Sequence, residues 1–152
     1  MPKKTWNEKL NDSKDMPYVA ELDCKYGAMF GRLMAVVPPL EYDEIMKLIP
    51  RGKLITVDVI NDYLAKRHNA DWTCFMTAGI FMRIIANASD ERGGVDETPY
   101  WRTLKKGGEL NGNYPHGIEG HRMLLEMEGH KVFQKGKKFF VEDYESKMYD
   151  LS

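Results

Sequence analysis

The segment HKVFQKGKKFFVEDY, residues 130–144, gives the clearest structural signal in the chain. Runs of aromatic and β-branched residues lie on either side of Lys135 and Gly136, a pattern typical of two strands joined by a tight turn. Lysines cluster at the turn itself. The sequence therefore predicts a C-terminal β-hairpin whose tip is positively charged.

Helical patterns precede this hairpin. EYDEIMKLIP, residues 41–50, has acidic residues in its first turn and a proline at its end, which predicts a short helix. Apolar residues then recur with helical spacing after Thr56, which is placed to cap a helix that ends near His68 and Asn69. FMTAGIFMRIIAN, residues 75–87, predicts a helix that is apolar on most sides. The last two helices form a helix-turn-helix candidate.

The region between these helices and the hairpin is more irregular. SDERGGVDET, residues 89–98, predicts a loop, and short β-like pieces follow around residues 101–104. IEGHRMLLEMEG, residues 118–129, predicts another helix that ends at Gly129. Helices followed by a hairpin are the order of a winged-helix domain, in which a basic wing tip contacts phosphates. We therefore predict an α+β winged helix-turn-helix domain with a C-terminal β-hairpin wing and an N-terminal extension.

The expected domain organisation follows from the same pattern. Residues 1–40 form an N-terminal extension with a short helix and a strand, residues 41–145 the winged-helix DNA-binding domain, and residues 146–152 a tail. A chain of 152 residues with 43% hydrophobic content is long enough for one domain with its own core.

Charge is distributed unevenly along the chain. The formal net charge of -1 argues against a protein that coats nucleic acid by bulk charge. Residues 101–138, however, hold eight basic residues against four acidic ones. This local excess predicts a phosphate-contacting surface, although lysines on a hairpin also protect edge strands from aggregation.

Other compositional signals are mostly negative. Cys24 and Cys74 lack the spacing of a zinc site or a disulfide framework, so we expect buried, reduced thiols, no metal and no cofactor. No apolar run approaches the roughly 18 residues that a membrane span needs. The start, MPKKTWNEKL, has no apolar region after its lysines. We expect a cytoplasmic protein that does not contact a membrane.

Four segments, taken in order, resemble the DNA-binding domain of the alkylguanine-DNA alkyltransferases and their alkyltransferase-like relatives. IPRGKLIT (49–56) is similar to the Pro-x-Gly-Lys-Val start of that domain, and TAGIF (77–81) to its Ala-Val-Gly recognition-helix core. PYWRTLKKGGELN (99–111) is similar to the active-site segment Pro-Cys-His-Arg-Val. NYPHGIEGHRMLLEMEG (113–129) is similar to the ending that runs from Asn-Tyr-x-Gly-Gly to Leu-Leu-x-x-Glu-Gly. The resemblance covers a little over half of the chain and excludes the first forty-odd residues and the hairpin.

The active-site segment departs from the family pattern. Alignment on Pro99 and Arg102 places Tyr100 where the alkyltransferases carry their acceptor cysteine and Trp101 where they carry a histidine. A neutral phenol with a pKa of about 10 cannot replace an activated thiolate in alkyl transfer. Alkyltransferase-like proteins carry tryptophan at the acceptor position, bind flipped alkylated guanine without repairing it, and mark it for excision repair. The resemblance therefore implies a nonenzymatic reader of modified duplex DNA, with no catalytic residue and with excision-repair proteins as partners.

The resemblance also implies a base pocket. Tyr114 matches the tyrosine near the alkyl group, Pro115 and His116 stand in the loop that lines the pocket, and Glu128 matches a glutamate that orders hydrogen bonds. Side chains of an extended segment alternate between two faces, so we expect Tyr100 to meet the base and Trp101 to pack behind it. The alternative is that this pair only fills the core. The predicted pocket residues are Tyr100, Trp101, Tyr114, Pro115, His116 and Glu128.

Predicted DNA contacts come from the helix at residues 75–87 and from the basic segments. Met76 stands where the family carries an intercalating arginine, and Val57 stands where it carries the tyrosine that rotates the nucleotide. The motif arginine is chiefly structural in the family, so a buried hydrogen-bonding role is expected for Arg102. The predicted DNA-binding residues are Met76, Thr77, Arg83, Arg102, Lys105, Lys106, Lys135, Lys137 and Lys138. The alternative functions are a regulatory or protein-interaction module that has lost base recognition and, as a third, an intact enzyme.

Overall fold

The structure is a computed structural model that describes residues 4–151. Residues 1–3 of the predicted extension and Ser152 of the predicted tail lie outside the described residues. Within residues 4–151 the chain forms a mixed α+β fold of six helices and seven short strands. The helices are α1 (Trp6–Asn11), α2 (Lys25–Phe30), α3 (Pro39–Met46), α4 (Val57–Arg67), α5 (Phe75–Glu91) and α6 (Gly117–Met127). The strands are β1 (Tyr18–Glu21), β2 (Leu33–Val36), β3 (Ile55–Thr56), β4 (Trp72–Thr73), β5 (Thr103–Leu104), β6 (Val132–Lys135) and β7 (Lys138–Val141).

The predicted helices are present, with changes at their ends. α3 begins at Pro39, two residues before the predicted start, because the fixed φ of proline suits a first helical turn. Thr56 is the N-cap residue of α4, although its side chain makes no capping hydrogen bond. α4 ends at Arg67, and Asn69 has a left-handed φ of 56°, so the predicted end near His68 and Asn69 is confirmed.

The predicted loop at residues 89–98 is wrong at its start, because α5 continues to Glu91. Tertiary contacts stabilise this last turn. The buried Ser89 hydroxyl accepts a hydrogen bond from Thr98 N at 2.9 Å, and the Glu91 carboxylate accepts one from Trp6 N at 3.1 Å. Both contacts are made with residues outside α5, so the local sequence pattern does not predict them.

The main core lies between α3, α4 and α5. Its fully buried side chains include Ile45 on α3, Ile60 and Leu64 on α4, and Ile85 on α5. α1 adds Leu10, which is 3% exposed, to the same core. The two helices of the predicted helix-turn-helix pair, α4 and α5, therefore share this core.

The predicted C-terminal hairpin is confirmed. β6 and β7 pair antiparallel, and Gly136 in the turn has a φ of 64°, a conformation that glycine adopts without strain. A second, smaller core holds the hairpin against the domain and consists of Leu54, Leu104, Leu110, Leu125 and Val141. Leu110 N donates a hydrogen bond to Phe139 O at 2.9 Å, so the segment after β5 runs beside β7.

The described part of the N-terminal segment contains two helices and two strands, α1, β1, α2 and β2, where one short helix and one strand are predicted. β1 pairs antiparallel with β2, which pairs parallel with β4, the strand that precedes α5. α1 packs along α5. The division of the chain at residue 40 stays a prediction, but the described part of this segment contacts the helices that follow it.

Candidate nucleic-acid interface

The segment that aligns with the alkyltransferase active site is a tight turn. Residues Tyr100–Arg102 form a single turn of 3-10 helix, with a hydrogen bond from Arg102 N to Pro99 O at 3.1 Å. The expected extended conformation is therefore wrong for these residues, and β structure begins only at Thr103. Consequently Tyr100 and Trp101 do not point to opposite faces. Their rings meet edge to face, with centroids 5.3 Å apart.

The turn places its aromatic residues in a closed cluster. The ring of Tyr114 lies 5.1 Å from that of Tyr100 and 4.9 Å from the imidazole of His121, both edge to face. We call Tyr100, Trp101, Tyr114 and His121 the aromatic cluster. Tyr100 and Tyr114 each expose 3% of their surface, whereas Trp101 is half-buried. The structure thus brings together the three aromatic residues predicted for the base pocket, with two of them covered.

The phenol groups of the aromatic cluster are held neutral. Burial raises the pKa of Tyr100, and the nearby carboxylates of Asp90 and Glu97 raise it further. Burial also raises the pKa of Tyr114, whose hydroxyl donates a hydrogen bond to Thr103 O at 2.9 Å. A phenol that keeps its proton is a poor nucleophile, so this environment does not activate Tyr100.

His121 is a member of the cluster that the sequence analysis missed. Its Nδ1 accepts a hydrogen bond from Asn111 N at 3.0 Å, which leaves Nε2 to donate to Trp101 O at 2.9 Å. Burial lowers the pKa of His121 to about 4. The neutral ring therefore ties the turn to the loop before Tyr114. The sequence does contain a signal for this burial, because His121 lies four residues before Leu125 and both therefore fall on the same face of α6.

Arg102 and Glu128 form an ion pair beneath the turn. Arg102 Nη2 lies 2.7 Å from Glu128 Oε2, its Nε lies 2.9 Å from Oε1, and its Nη1 donates to Ile49 O at 2.7 Å. Their side chains are only 14% and 4% exposed. Burial opposes ionisation of Glu128, but the hydrogen bonds from Arg102 hold its pKa below the usual value. The expected buried role of Arg102 is confirmed, and its DNA contact stays a prediction.

The remaining residues of the predicted pocket lie around this cluster. The indole Nε1 of Trp101 is close to the Glu128 carboxylate without forming a well-aligned hydrogen bond. Pro115 is half-buried, while His116 is exposed and has a left-handed φ of 67° at the start of α6. A Cβ on Gly120 would lie 2.5 Å from His116 Cβ, so the loop is closely packed on α6.

A groove crosses the exposed face of α5. Met76, which is 65% exposed, and Arg83 both line it, so the structure brings these two predicted DNA contacts together. Asn113, the residue before Tyr114, lies in the same groove. The groove has a volume of about 460 Å³, and its remaining lining residues are Trp6, Lys9, Gly79, Ile80 and Ile84. We call it the α1–α5 groove. Thr77 lines a different groove, and its hydroxyl donates to Cys74 O at 3.2 Å.

The basic segments predicted from charge come together at the hairpin. Glu109 lies 3.8 Å from Lys105 Nζ and 3.9 Å from Lys138 Nζ, and thereby links the segment after β5 to β7. Lys135 stands directly opposite Lys138 in the strand pairing. We call Lys105, Lys106, Lys135, Lys137 and Lys138 the lysine surface. Lys106, Lys135 and Lys137 form no ion pair with any residue in the described range 4–151.

Other predicted features are simpler to place. Cys74 is buried, whereas Cys24 is exposed at the start of α2, so the expected burial of both thiols is wrong for Cys24. In the described part of the chain, no group of three or more His, Cys, Asp or Glu residues is arranged to hold a metal ion. None of the described helices combines the length and apolar character that crossing a bilayer requires.

Comparison with known proteins identifies a shared fold. No protein-family model and no curated protein sequence matches the chain. Two crystal structures from S. pombe are similar to it. For Atl1 in complex with damaged DNA containing O6-carboxymethylguanine, the TM-score is 0.53 and the identity 17%, covering 74% of this chain and 94% of that chain. For S. pombe ATL in complex with DNA, the TM-score is 0.52 and the identity 18%, with the same coverage of both chains. At this identity the likeness establishes the fold.

Proposed function

We propose that this protein is a nonenzymatic DNA-binding protein that recognises a modified or extruded base in duplex DNA. In this proposal α4 and α5 are a helix-turn-helix pair, with α5 set against a groove of the duplex, and the β6–β7 hairpin is the wing. Excision-repair proteins are the proposed partners, since a reader that performs no chemistry needs another protein to remove the lesion.

The observation that carries the proposal is the position of the α1–α5 groove beside the aromatic cluster. Asn113 lines the groove, and the next residue, Tyr114, belongs to the cluster. A DNA strand that contacts the open face of α5 therefore reaches the loop that carries Tyr114, whose ring packs on Tyr100. The similar structures from S. pombe hold DNA, in one case with a damaged guanine, and this supports the same class of ligand here.

The proposed base site opens from a closed state. Tyr100 is 3% exposed and its ring packs on those of Trp101 and Tyr114, so an extruded base reaches it only when this packing opens. Tyr100 then faces the base, Trp101 packs behind it, and Tyr114, Pro115 and His116 border the site. Glu128 keeps the turn in place through Arg102. Extruded bases are held by stacking between aromatic and apolar side chains, which these residues supply.

The lysine surface is the proposed wing contact. Lys135 and Lys138 stand opposite each other on paired strands, and like charges in that position repel. Phosphates relieve this repulsion when they bind, and they release condensed counterions from the DNA. A phosphate contact should stabilise Lys106, Lys135 and Lys137 most, because these lysines form no ion pair with any described residue.

A paired titration tests the proposal. Duplexes that differ only in one alkylated guanine are titrated against the wild-type chain and against Tyr100→Leu and Tyr100→Phe. Stacking of about 1 to 3 kcal/mol sets an upper bound of roughly 5- to 150-fold on the tighter binding of the modified duplex, because opening the site costs part of this energy. Tyr100→Phe should keep this preference and Tyr100→Leu should lose it, while both keep their affinity for plain duplex. Equal affinity of the wild-type chain for the two duplexes would disprove base recognition.

The absence of alkyl transfer has its own test. Intact mass is measured after incubation with alkylguanine DNA, and no added alkyl mass is expected on Tyr100 or Cys74. Backbone N–H groups of Gly27 and Tyr26 lower the pKa of the exposed Cys24 thiol, so Cys24→Ser is the control for nonspecific alkylation. A stoichiometric adduct that persists in Cys24→Ser would overturn the nonenzymatic assignment.

One surface feature favours a second candidate, a protein-interaction module. Phe30, Trp72 and Phe75 form an exposed aromatic patch with ring centroids 5.1 to 5.7 Å apart, and they belong to neither core. Phe30 and Phe75 are 43% and 49% exposed. Exposed apolar clusters often mark protein contacts. A protein of this kind should bind neither duplex, whereas a generic winged helix should bind both alike with a steep salt dependence.

A further inference from the structure

α1 is fixed to the end of α5 by a set of polar contacts. The Glu91 carboxylate accepts hydrogen bonds from Trp6 N and Asn7 N, each at 3.1 Å, and from Asn7 Nδ2 at 2.8 Å. Thr5 and Glu8 form a capping box at the start of α1. These contacts stabilise a helix of only six residues, which would not be stable alone. α1 therefore holds its side chains at a defined place beside α5.

The side chains so held include an aromatic ring with two cations. Lys9 Nζ lies 4.4 Å from the ring centroid of Trp6, and the guanidinium carbon of Arg83 on α5 lies 5.8 Å from it. Both distances are within the range of cation–π attraction. Within residues 4–151, neither Lys9 nor Arg83 forms an ion pair. Two positive charges thus converge on one indole without a carboxylate to neutralise them.

The surroundings of this pair suit a nucleic-acid backbone. Lys9 and Arg83 line the α1–α5 groove, and none of the described residues that line it is acidic. Met76 and Ile80, 65% and 59% exposed, give it an apolar wall that sugar rings can contact. A Cβ added at Gly79 would meet no atom within 4 Å, so there is room above the helix backbone. Asn113 adds an amide at the border with the aromatic cluster.

We propose that the α1–α5 groove binds the phosphodiester backbone of a DNA strand, with Lys9 and Arg83 as the phosphate ligands. The inference rests on the proposed DNA-binding function and extends it to α1, a helix outside the segments that resemble the alkyltransferases. Trp6 is a positioning residue that holds the two cations through its ring. The groove continues to Asn113, so the bound strand leads from α1 across α5 to the base site.

The test compares two double variants of the full chain. Lys9→Gln with Arg83→Gln removes the proposed ligands, and Lys53→Gln with Lys66→Gln removes two exposed lysines that form no ion pair in the described residues. Both change the net charge equally. Affinity for a plain duplex is measured over a range of salt concentrations. The first variant should lose about two units of salt slope, because each phosphate contact contributes about one, and the second should keep the wild-type slope.

Variants of Trp6 separate positioning from packing. Trp6 also packs against the main core, so its replacement affects stability whatever its role. Trp6→Phe keeps a ring for the cations, whereas Trp6→Leu keeps an apolar side chain without one. If Trp6 positions Lys9 and Arg83, the salt slope should be reduced in Trp6→Leu and should stay near the wild-type value in Trp6→Phe. A purely structural role would lower the melting temperature in both and change neither slope.

The outcomes distinguish this inference from the proposed function. If the wild-type chain prefers the modified duplex but Lys9→Gln with Arg83→Gln behaves as the control does, only the groove assignment is wrong. If the wild-type chain binds both duplexes alike and this variant still loses salt slope, base recognition is wrong and the groove assignment stands. Binding of an acidic peptide at the groove, with no binding of either duplex, would overturn both.

Discussion

The aromatic cluster and the lysine surface differ in how their polar groups are satisfied. In the cluster, the Tyr114 hydroxyl and both nitrogens of His121 have hydrogen-bond partners inside the protein. On the lysine surface, Lys106, Lys135 and Lys137 form no ion pair with any described residue. In the first region most polar groups are satisfied without a ligand, with the Trp101 indole Nε1 as the exception, and the second region carries repulsion that an anion would relieve. The likeness to the S. pombe structures concerns the overall fold, so this contrast comes from the side chains of this chain.

In the proposed function, this difference assigns affinity for duplex DNA to the lysine surface and discrimination between plain and modified bases to the aromatic cluster. The proposed phosphate contacts at the lysine surface and at the α1–α5 groove need little rearrangement, so they would give binding to any duplex. The proposed base contact at Tyr100 requires the aromatic cluster to open, because Tyr100 is 3% exposed, and opening exposes buried apolar surface. The expected free-energy preference for a modified base is therefore the stacking energy minus the free energy needed to open the site around Tyr100.

The largest expected effect is a loss of stability when the cluster is truncated. Tyr100→Ala should lower the free energy of unfolding by about 3 to 5 kcal/mol, because it removes a buried ring that packs on two others. Ile80→Ala, on the open wall of the α1–α5 groove, should change it by about 0.5 kcal/mol or less. Urea denaturation of both variants measures the contrast. Similar losses for the two would mean that the cluster is as open as the groove.

The pH dependence of stability should come partly from His121. Its pKa is about 4 in the folded protein against an ordinary value of 6.5, so the unfolded chain takes up a proton first as the pH falls. Stability should therefore decrease between pH 6.5 and pH 4, by up to ~3 kcal/mol, and this contribution should level off below pH 4. His121→Gln should flatten this part of the profile at some cost in stability. His116→Gln, at an exposed position, should retain it; a slope unchanged in His121→Gln would disprove the assignment.

A somewhat smaller loss is expected at the ion pair. Glu128→Gln leaves the Arg102 guanidinium buried without its countercharge and should cost about 2 to 3 kcal/mol. The pKa of Glu128 is lowered in the folded protein, so its contribution is present above the ordinary value of 4.5 and is lost at lower pH. The stability difference between wild type and Glu128→Gln should therefore shrink in acid. Glu126→Gln, on the exposed face of α6, is the matched control and should change stability by about 0.5 kcal/mol or less.

The smallest expected effect on stability concerns the lysine surface, where the readout is binding. Changing Lys135, Lys137 and Lys138 together to glutamine should leave stability within about 0.5 kcal/mol and weaken binding to all duplexes alike. The salt slope should fall by up to about three units if all three lysines contact phosphates. If slope and affinity stay at wild-type values, these lysines protect the hairpin edge and have no part in binding.

Local sequence was sufficient to predict much of the fold. The hairpin has a glycine at the turn and strand-forming residues on both sides, and these are properties of neighbouring residues. The same holds for α4, whose apolar residues follow helical spacing. At the end of α5, where the structure differs, contacts outside the helix are the cause. α5 is longer than predicted because Glu91 and Ser89 bind residues outside the helix.

The candidate site was less predictable for the same reason. The turn at Tyr100–Arg102 is held by Glu128, which lies 26 residues beyond Arg102 in the chain. The position of His121 between two backbone groups depends on α6 packing against that turn. The α1–α5 groove needs the N-terminal segment to return to α5, and no pattern within residues 4–17 indicates that contact. The basic segments were found because their charge excess is visible in composition.

The hydrogen bonds between α1 and Glu91 also set an order of events during protein synthesis. Asn7 and Glu91 are 84 residues apart, and a ribosome adds roughly 5 to 20 residues per second. α1 is therefore translated on the order of ten seconds before the carboxylate that receives it. During that interval Trp6 and Leu10 have no α5 to pack against. α1 is thus made well before the helix that fixes its position.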